Sequence, residues 1–264
     1  MGPLQVKPLE RRGFLAGAVC LMAAPVVVAC RRVSSQAAQG DSKSQPPDTT
    51  AEVTSGTQIG QWLVPEGTLL SPTDFARLLA VMDALVPGDA SSAGATLTHA
   101  AWYLDQLLGA FRTDPPRIYA GGPFSGRHGG LDGFAHFQPL TRVETLRWRT
   151  FLEGSKGLPE REWNGPVIGL LQRYQTGLGA IATSAQAKYS KELVDLSRDE
   201  VNALLDDADA DFVQMAYEHA VEGTYGDPVY GGNAQLLGWK AIDYEGDRQP
   251  VGYTARQMSH PEEG

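Results

Sequence analysis

The stretch of residues 225–240, YGDPVYGGNAQLLGWK, constrains the fold more strongly than any other part of the chain. Pro228 forces the residue before it out of helical geometry, so a helix that reaches this stretch has to end there. Gly231 and Gly232 permit positive φ angles, and Asn233 can cap a short helix that follows. These residues predict a turn of defined shape near the carboxyl end of the folded part.

The rest of the folded part is predicted to be mainly α-helical. Apolar residues recur at helical spacing, and two helix starts carry caps, at Ser71 before Pro72 and at Ser197 with Glu200. The predicted helices cover residues 72–86, 97–111, 140–153, 167–189, 197–205, 212–223 and 234–239. Because we find no convincing alternating strand and no internal repeat, we predict a single helical domain over residues 62–264, with long glycine-rich loops.

Residues 1–29 have the features of an export signal. Arg11 and Arg12 precede an uncharged stretch rich in Ala and Val, which gives a charged head and an apolar middle. A permanent transmembrane anchor is the alternative, but the stretch is short for a membrane span and is interrupted by glycine and proline. With Phe14 and Leu15, the arginine pair resembles the twin-arginine signal, so we expect export through the twin-arginine translocase.

Cys30 follows the sequence Val-Val-Ala and resembles the cysteine of a lipoprotein processing box. Lipid on Cys30 would tether the chain to a membrane, and the alternative is a cysteine that follows an apolar run by chance. Residues 30–61 are rich in Ser, Gln, Thr, Gly and Asp, a composition that cannot repay the entropy of ordering, so we predict a flexible tether there. We therefore expect a periplasmic, membrane-associated protein.

Charge and missing motifs argue against several classes of function. The formal net charge is -9, whereas nucleic-acid binding needs clustered Lys and Arg. The sequence has no C-x-x-C-H haem attachment site, no G-x-G-x-x-G or P-loop nucleotide motif, and no G-x-S-x-G nucleophile elbow. We predict no catalytic, cofactor-binding or metal-binding residue in this chain.

Two clusters could nevertheless bind a metal. The spacing of a calcium-binding EF-hand loop is found at Asp207, Asp209, Asp211 and Glu218. Phe212 replaces the glycine that such a loop requires, and acidic residues also favour a helix start, which is the interpretation we prefer. His219 could pair with Glu222 on a metal, but a histidine hydrogen-bonded within the core is the simpler interpretation.

A glycine-rich segment at residues 120–134 separates the second and third predicted helices. The flanking aromatic residues Phe124, Phe134 and Phe137 favour a packed loop of specific shape, and a disordered surface loop is the alternative. His128 and His136 could contribute to a metal site, but no cysteine or third well-spaced histidine supports one.

The sequence around the predicted turn resembles the hallmark of the gluconate 2-dehydrogenase subunit 3 family. The matching residues are His219, Glu222, Gly223, Tyr225, Asp227, Pro228, Tyr230, Gly231, Gly232, Asn233, Gly238, Trp239 and Lys240. The resemblance implies a small subunit without flavin, in a membrane-associated sugar or sugar-acid dehydrogenase. Its large partner subunit would carry FAD, and a third subunit would be a multihaem cytochrome c.

From this resemblance we expect a non-catalytic accessory subunit that stabilises the flavoprotein and carries it through export. Tyr225, Tyr230, Trp239 and the Gly231-Gly232 turn are the predicted docking surface, because aromatic residues on a rigid turn give contact area at little entropic cost. The alternative is that they only pin the last helix to the core of the domain. A rival hypothesis is a free-standing lipoprotein with a metal-binding or enzymatic site around His219, Glu222 and Asp227.

Overall fold

The computed structural model describes residues 55–120 and 137–244. Within these ranges the chain forms α-helices joined by short 3-10 turns, together with one small antiparallel sheet, which confirms the prediction of a mainly α fold. The signal residues Arg11, Arg12, Phe14 and Leu15 lie outside the described residues, as do Cys30, His128 and His136. No helix in the described part is long and apolar enough to cross a membrane.

The helices follow the predicted pattern, with boundaries that shift by no more than about one turn. The structure places them at α1 Pro72–Leu85, α2 Ala100–Leu108, α3 Arg142–Glu153, α4 Leu170–Tyr189, α5 Arg198–Leu205, α6 Ala210–Tyr225 and α7 Leu237–Ala241. The largest shifts are at both ends of α2 and at the starts of α4 and α7. The apolar residues just before α2 and α4, Leu97 and Val167, are exposed.

Side-chain caps explain where several helices begin. The Ser71 hydroxyl accepts a hydrogen bond from Asp74 N at 3.1 Å, and Ser197 forms the predicted capping box with Glu200. A further capping box joins Thr141 to Glu144 at the start of α3, which we did not predict from the sequence. Each cap satisfies backbone N–H groups that would otherwise lack a partner and is worth about 1 kcal/mol.

A β-hairpin precedes the first helix, and it corrects the prediction that the fold has no strand. Strand β1 (Gly56–Ile59) pairs antiparallel with β2 (Trp62–Pro65). Trp62 Nε1 donates to the Val194 carbonyl at 3.2 Å and Val64 is fully buried, so the hairpin is part of the folded body. Strands of this length are too short to show a clear alternation. Residues 56–61, which we predicted as tether, therefore belong to the fold.

Helix α1 lies at the centre of the core and contacts α2, α4, α5 and α6. The largest fully buried side chains include Tyr174 of α4 and Phe75 and Leu78 of α1. Helices α2 and α6 approach each other closely at Gly223 of α6. A Cβ atom at this position would lie only 2.7 Å from Cα of Ala100, so the contact requires glycine. This close pair holds the end of α6, and hence the turn that follows it, against α2.

Candidate functional site

The turn after α6 has the geometry that Pro228 predicts. Helix α6 ends at Tyr225, and Asp227 takes an extended conformation with φ -67° and ψ 126°. The Asp227 side chain accepts a hydrogen bond from Val229 N at 3.0 Å and so caps the 3-10 turn Pro228–Tyr230. Gly231 follows with φ +97°, a left-handed conformation that favours glycine.

Gly232 is required for a different reason from the one we predicted. The sequence allowed a positive φ at both glycines, but only Gly231 adopts one and Gly232 does not. A Cβ atom on Gly232 would overlap the carbonyl of Gly223, and the next residue, Asn233, donates its backbone N–H to that same carbonyl at 2.7 Å. Glycine is thus needed here because two backbone segments touch.

Asn233 is the hydrogen-bonding centre of the turn and is completely buried. Its Oδ1 accepts from Gly238 N at 2.9 Å and from Trp239 N at 3.4 Å, and its Nδ2 donates to the Gly226 carbonyl at 3.0 Å. The predicted helix over residues 234–239 is corrected, since a 3-10 turn occupies Ala234–Leu236 and α7 begins only at Leu237. Asn233 therefore caps α7 with its side chain, although Leu236 occupies the N-cap position of that helix.

Trp239 points into the domain and not toward a partner. Its side chain is 4% exposed, and its Nε1 donates to the Tyr225 carbonyl at 2.7 Å. The backbone of Gly238 beside it lies against the Thr224 carbonyl, so α7 is fastened to the end of α6. The prediction that Trp239 docks a partner is wrong, because burial removes its ring from the surface. Lys240 is exposed.

His219 and Glu222 each bind a tyrosine hydroxyl on a neighbouring helix. His219 Nδ1 lies 2.8 Å from the hydroxyl of Tyr174 on α4, and Glu222 accepts from the hydroxyl of Tyr103 on α2 at 2.9 Å. Burial lowers the pKa of His219, and the Glu222 carboxylate partly opposes this shift. Burial, reinforced by the same carboxylate, raises the pKa of both tyrosines. The predicted hydrogen bond of His219 is confirmed, but the residue is only partly buried and does not lie fully within the core.

A cleft of about 300 Å³ opens beside these two pairs. Its aromatic walls come from α2, the loop after α2, α3 and the turn after α6, and consist of Tyr103, Tyr119, Trp148, Phe151 and Tyr230. Its other lining residues are Leu107, Arg117, Ile118, His219 and Glu222. The motif thus contributes one side of the cleft. We did not predict the other residues, because they lie outside the motif and most of them follow the ordinary apolar pattern of their own helix or loop.

Tyr230 fixes one wall of this cleft. Its hydroxyl accepts a hydrogen bond from Ala120 N at 3.1 Å, and its ring centroid lies 5.9 Å from that of Phe137. On another wall, Trp148 Nε1 donates to the Tyr119 hydroxyl at 3.3 Å, and the two rings meet edge to face. Such pairs stabilise by about 1 kcal/mol beyond the area they bury, so the aromatic walls are held in place.

The acidic residues near the start of α6 serve as caps and ion-pair partners. Asp209 accepts from Phe212 N at 2.8 Å as the N-cap of α6, which confirms the helix-start interpretation. Asp207 pairs with Lys188 at 3.2 Å. In residues 55–120 and 137–244, no three His, Cys, Asp or Glu side chains lie close enough together to hold a metal ion.

We expect His219 to make the stability of the domain depend on pH. Folding lowers the pKa of His219 below the usual 6.5, so the unfolded chain binds the proton more tightly than the folded chain. The free energy of unfolding therefore falls as the pH drops through 6.5 toward the lower pKa of the folded state, and it rises again with increasing pH. Urea titrations between about pH 7.5 and about pH 5.5 should show a smaller loss of unfolding free energy for His219→Gln than for the wild type.

A second histidine, His99, contributes to the pH dependence of the wild type and of His219→Gln alike. Burial lowers its pKa as well, and because it remains in both proteins, the difference between them isolates His219. Equal losses in the two proteins would contradict the assignment.

Tyr174→Phe, which removes the hydroxyl that contacts His219, should cost about 1 kcal/mol at neutral pH.

Comparison with known proteins identifies the family. A sequence model described as gluconate 2-dehydrogenase subunit 3 matches residues 72–246, a range that begins at the first residue of α1 and includes the whole motif. Neither the curated proteins nor the solved structures gave a match. With most of its length covered by that model, the chain belongs to the gluconate 2-dehydrogenase subunit 3 family.

Proposed function

We propose that this chain is a non-catalytic accessory subunit of an exported, FAD-dependent sugar or sugar-acid dehydrogenase complex. In this proposal it binds and stabilises the large flavoprotein subunit and carries it through the twin-arginine route. The family match over residues 72–246 is the observation that carries the proposal. The Arg11-Arg12 pair with Phe14 and Leu15 supports the export role, and Cys30 supports a lipid anchor in the periplasm.

The cofactors of the reaction would lie in the partner subunits. FAD would belong to the large subunit, and haem c to a multihaem cytochrome in complexes that contain a third subunit. Several motif residues remain partly or fully exposed, among them Tyr225, Tyr230, Gly231 and Lys240, and are then available for contact with a partner. Asn233 and Trp239 support this role from inside, because they keep the turn rigid.

The rival hypothesis is a free-standing lipoprotein with a reactive site at His219, Glu222 and Asp227. The contacts of these residues disfavour it. His219 and Glu222 are engaged with tyrosine hydroxyls, and the Asp227 carboxylate caps a turn. Each of the three side chains thus has a partner within the fold, and in the described ranges no group of three His, Cys, Asp or Glu side chains is placed to hold a metal ion.

Export of the flavoprotein should depend on the arginine pair. Replacing Arg11 and Arg12 together with lysine should remove most of the flavoprotein subunit from the periplasm of cells that produce both chains, because that subunit would travel only as a folded passenger. The measurement is FAD fluorescence and dehydrogenase activity in periplasmic and cytoplasmic fractions. The matched control replaces Arg31 and Arg32, the second arginine pair of the chain, with lysine and should leave export unchanged.

Two results would contradict this proposal in different ways. Flavoprotein in the periplasm in spite of the Arg11 and Arg12 substitutions would overturn the carrier role. A purified, solitary chain that oxidised a sugar without a partner would overturn the accessory role itself.

A further inference from the structure

The aromatic rings of the cleft meet at nearly right angles. Trp148 contacts both Tyr119 and Phe151, and its ring plane is inclined at 79° to the first and 81° to the second, with centroids 6.0 Å and 5.8 Å away. Tyr103 and Tyr230 line the same cleft. Aromatic rings that surround a small space in this way form an aromatic cage, which in proteins binds methylated ammonium groups. We call these residues the aromatic cage.

The rings of the cage are open to a ligand. Tyr119 is 46% exposed and Phe151 is 45% exposed, although both side chains are large and aromatic. The one polar atom of the Trp148 ring is already used, because Nε1 donates to the Tyr119 hydroxyl at 3.3 Å. The cage therefore offers an occupant π surface, whose negative potential attracts a cation by about 0.5 to 2 kcal/mol.

A carboxylate adds to this preference for positive charge. Glu222 lines the cleft and is exposed, and its Oε2 is held by the Tyr103 hydroxyl at 2.9 Å. Its Oε1 accepts no hydrogen bond and enters no ion pair within the part of the chain that the structure describes. Leu107 and Ile118 add apolar walls, which disfavour a strongly hydrated cation because they would remove its water without replacing it. Charge and lining together favour an alkylated ammonium.

Arg117 brings a positive charge to the same cleft. Its Nη1 donates a long hydrogen bond of 3.4 Å to Oε1 of Gln106, and it forms no salt bridge with any residue that the structure describes. A guanidinium recognises carboxylate and phosphate groups with paired N–H donors. A simple cation would leave this charge unmatched, whereas a ligand with both an ammonium and an anionic group would satisfy Glu222 and Arg117 together.

We propose that the cleft binds a small zwitterion in which a short alkyl chain joins a quaternary ammonium group to a carboxylate or phosphate. The ammonium lies in the aromatic cage beside Glu222, and the anionic group lies at Arg117. The volume of about 300 Å³ is at the lower end for small-molecule sites, which suits a ligand of this size. Such binding would be a function of this chain itself, in addition to its accessory role.

The wild-type full-length chain tests the class of ligand directly. Isothermal titration calorimetry should show saturable binding of glycine betaine, phosphocholine or both, with a Kd of about 1 mM or lower. The matched control for each is its carbon isostere, in which a tert-butyl group replaces the trimethylammonium group. The isostere keeps the shape and the anionic group but should bind at least about tenfold more weakly, because it loses the attraction to the π faces and to Glu222.

Substitutions then test the place of each charge. Glu222→Gln keeps an acceptor for the Tyr103 hydroxyl, and it should raise the Kd of the zwitterion at least about fivefold while leaving that of the isostere unchanged, a difference that a purely structural role would not produce. Arg117→Gln should weaken the binding of zwitterion and isostere alike. Glu218→Gln and Trp163→Phe change an exposed acid on the same helix and an exposed aromatic residue outside the cleft, and both should bind as the wild type does.

Competition identifies the source of the ligand. Binding to phosphatidylcholine vesicles that free phosphocholine abolishes would assign a lipid headgroup, and binding of the free zwitterions without vesicle binding would assign a soluble molecule; both results support the site. The absence of saturable binding of either zwitterion to the wild type would overturn the proposal, as would equal affinity for a zwitterion and its isostere. A Glu222→Gln protein that binds the zwitterion as tightly as the wild type would overturn the position of the ammonium.

Discussion

Replacing Asn233 with alanine is expected to lower the free energy of unfolding by at least about 3 kcal/mol. The buried amide of Asn233 makes three hydrogen bonds, to Gly238 N, Trp239 N and the Gly226 carbonyl, and alanine would leave these groups without partners. Asn233 also has φ 48°, a left-handed conformation that asparagine tolerates better than alanine. Urea unfolding followed by tryptophan fluorescence and circular dichroism measures the change.

Gln235 offers a matched control for this substitution. It also has a positive φ, at 53°, but its side chain is exposed. Gln235→Ala should therefore change the free energy of unfolding by less than about 0.5 kcal/mol. If Asn233→Ala costs no more than Gln235→Ala, the three hydrogen bonds do not stabilise the turn and the role assigned to Asn233 is wrong.

Replacing Gly238 with alanine is expected to destabilise the domain by about 3 kcal/mol, the upper end of the usual cost of overpacking. The added Cβ atom would overlap the Thr224 carbonyl, which is backbone at the end of α6 and cannot rotate aside as a flexible side chain could. Helix α7 would have to shift away from α6, and the hydrogen bond from Trp239 to the Tyr225 carbonyl would be strained or lost. The midpoint of thermal unfolding reports the change.

Gly179 in α4 provides the opposite case. A Cβ atom there would meet nothing within 4 Å, so Gly179→Ala should stabilise the helix by about 0.5 to 1 kcal/mol through its higher helix propensity. The two substitutions add the same methyl group and should change stability in opposite directions. A Gly238→Ala protein as stable as the wild type would show that α6 and α7 do not pack as closely as described.

Local signals in the sequence were sufficient for the helical framework. Ser71 and Ser197 mark helix starts because a cap depends on residues within one turn of each other. Pro228 ends α6 and Gly231 takes a positive φ, again because the constraint acts on the neighbouring backbone. The short hairpin was missed, since strands β1 and β2 are held by contacts such as that between Trp62 and the distant Val194 carbonyl.

The sequence by itself determined the helical class, most helix boundaries, the turn and the family to which the chain belongs. Only the tertiary structure decided which way the side chains of the turn face. It placed Trp239 in the core, made Gly232 a point of backbone contact, and left Trp163 exposed beside a poorly covered α3. The physical reason is that burial depends on residues far apart in the chain, whereas caps, prolines and left-handed glycines act on their immediate neighbours.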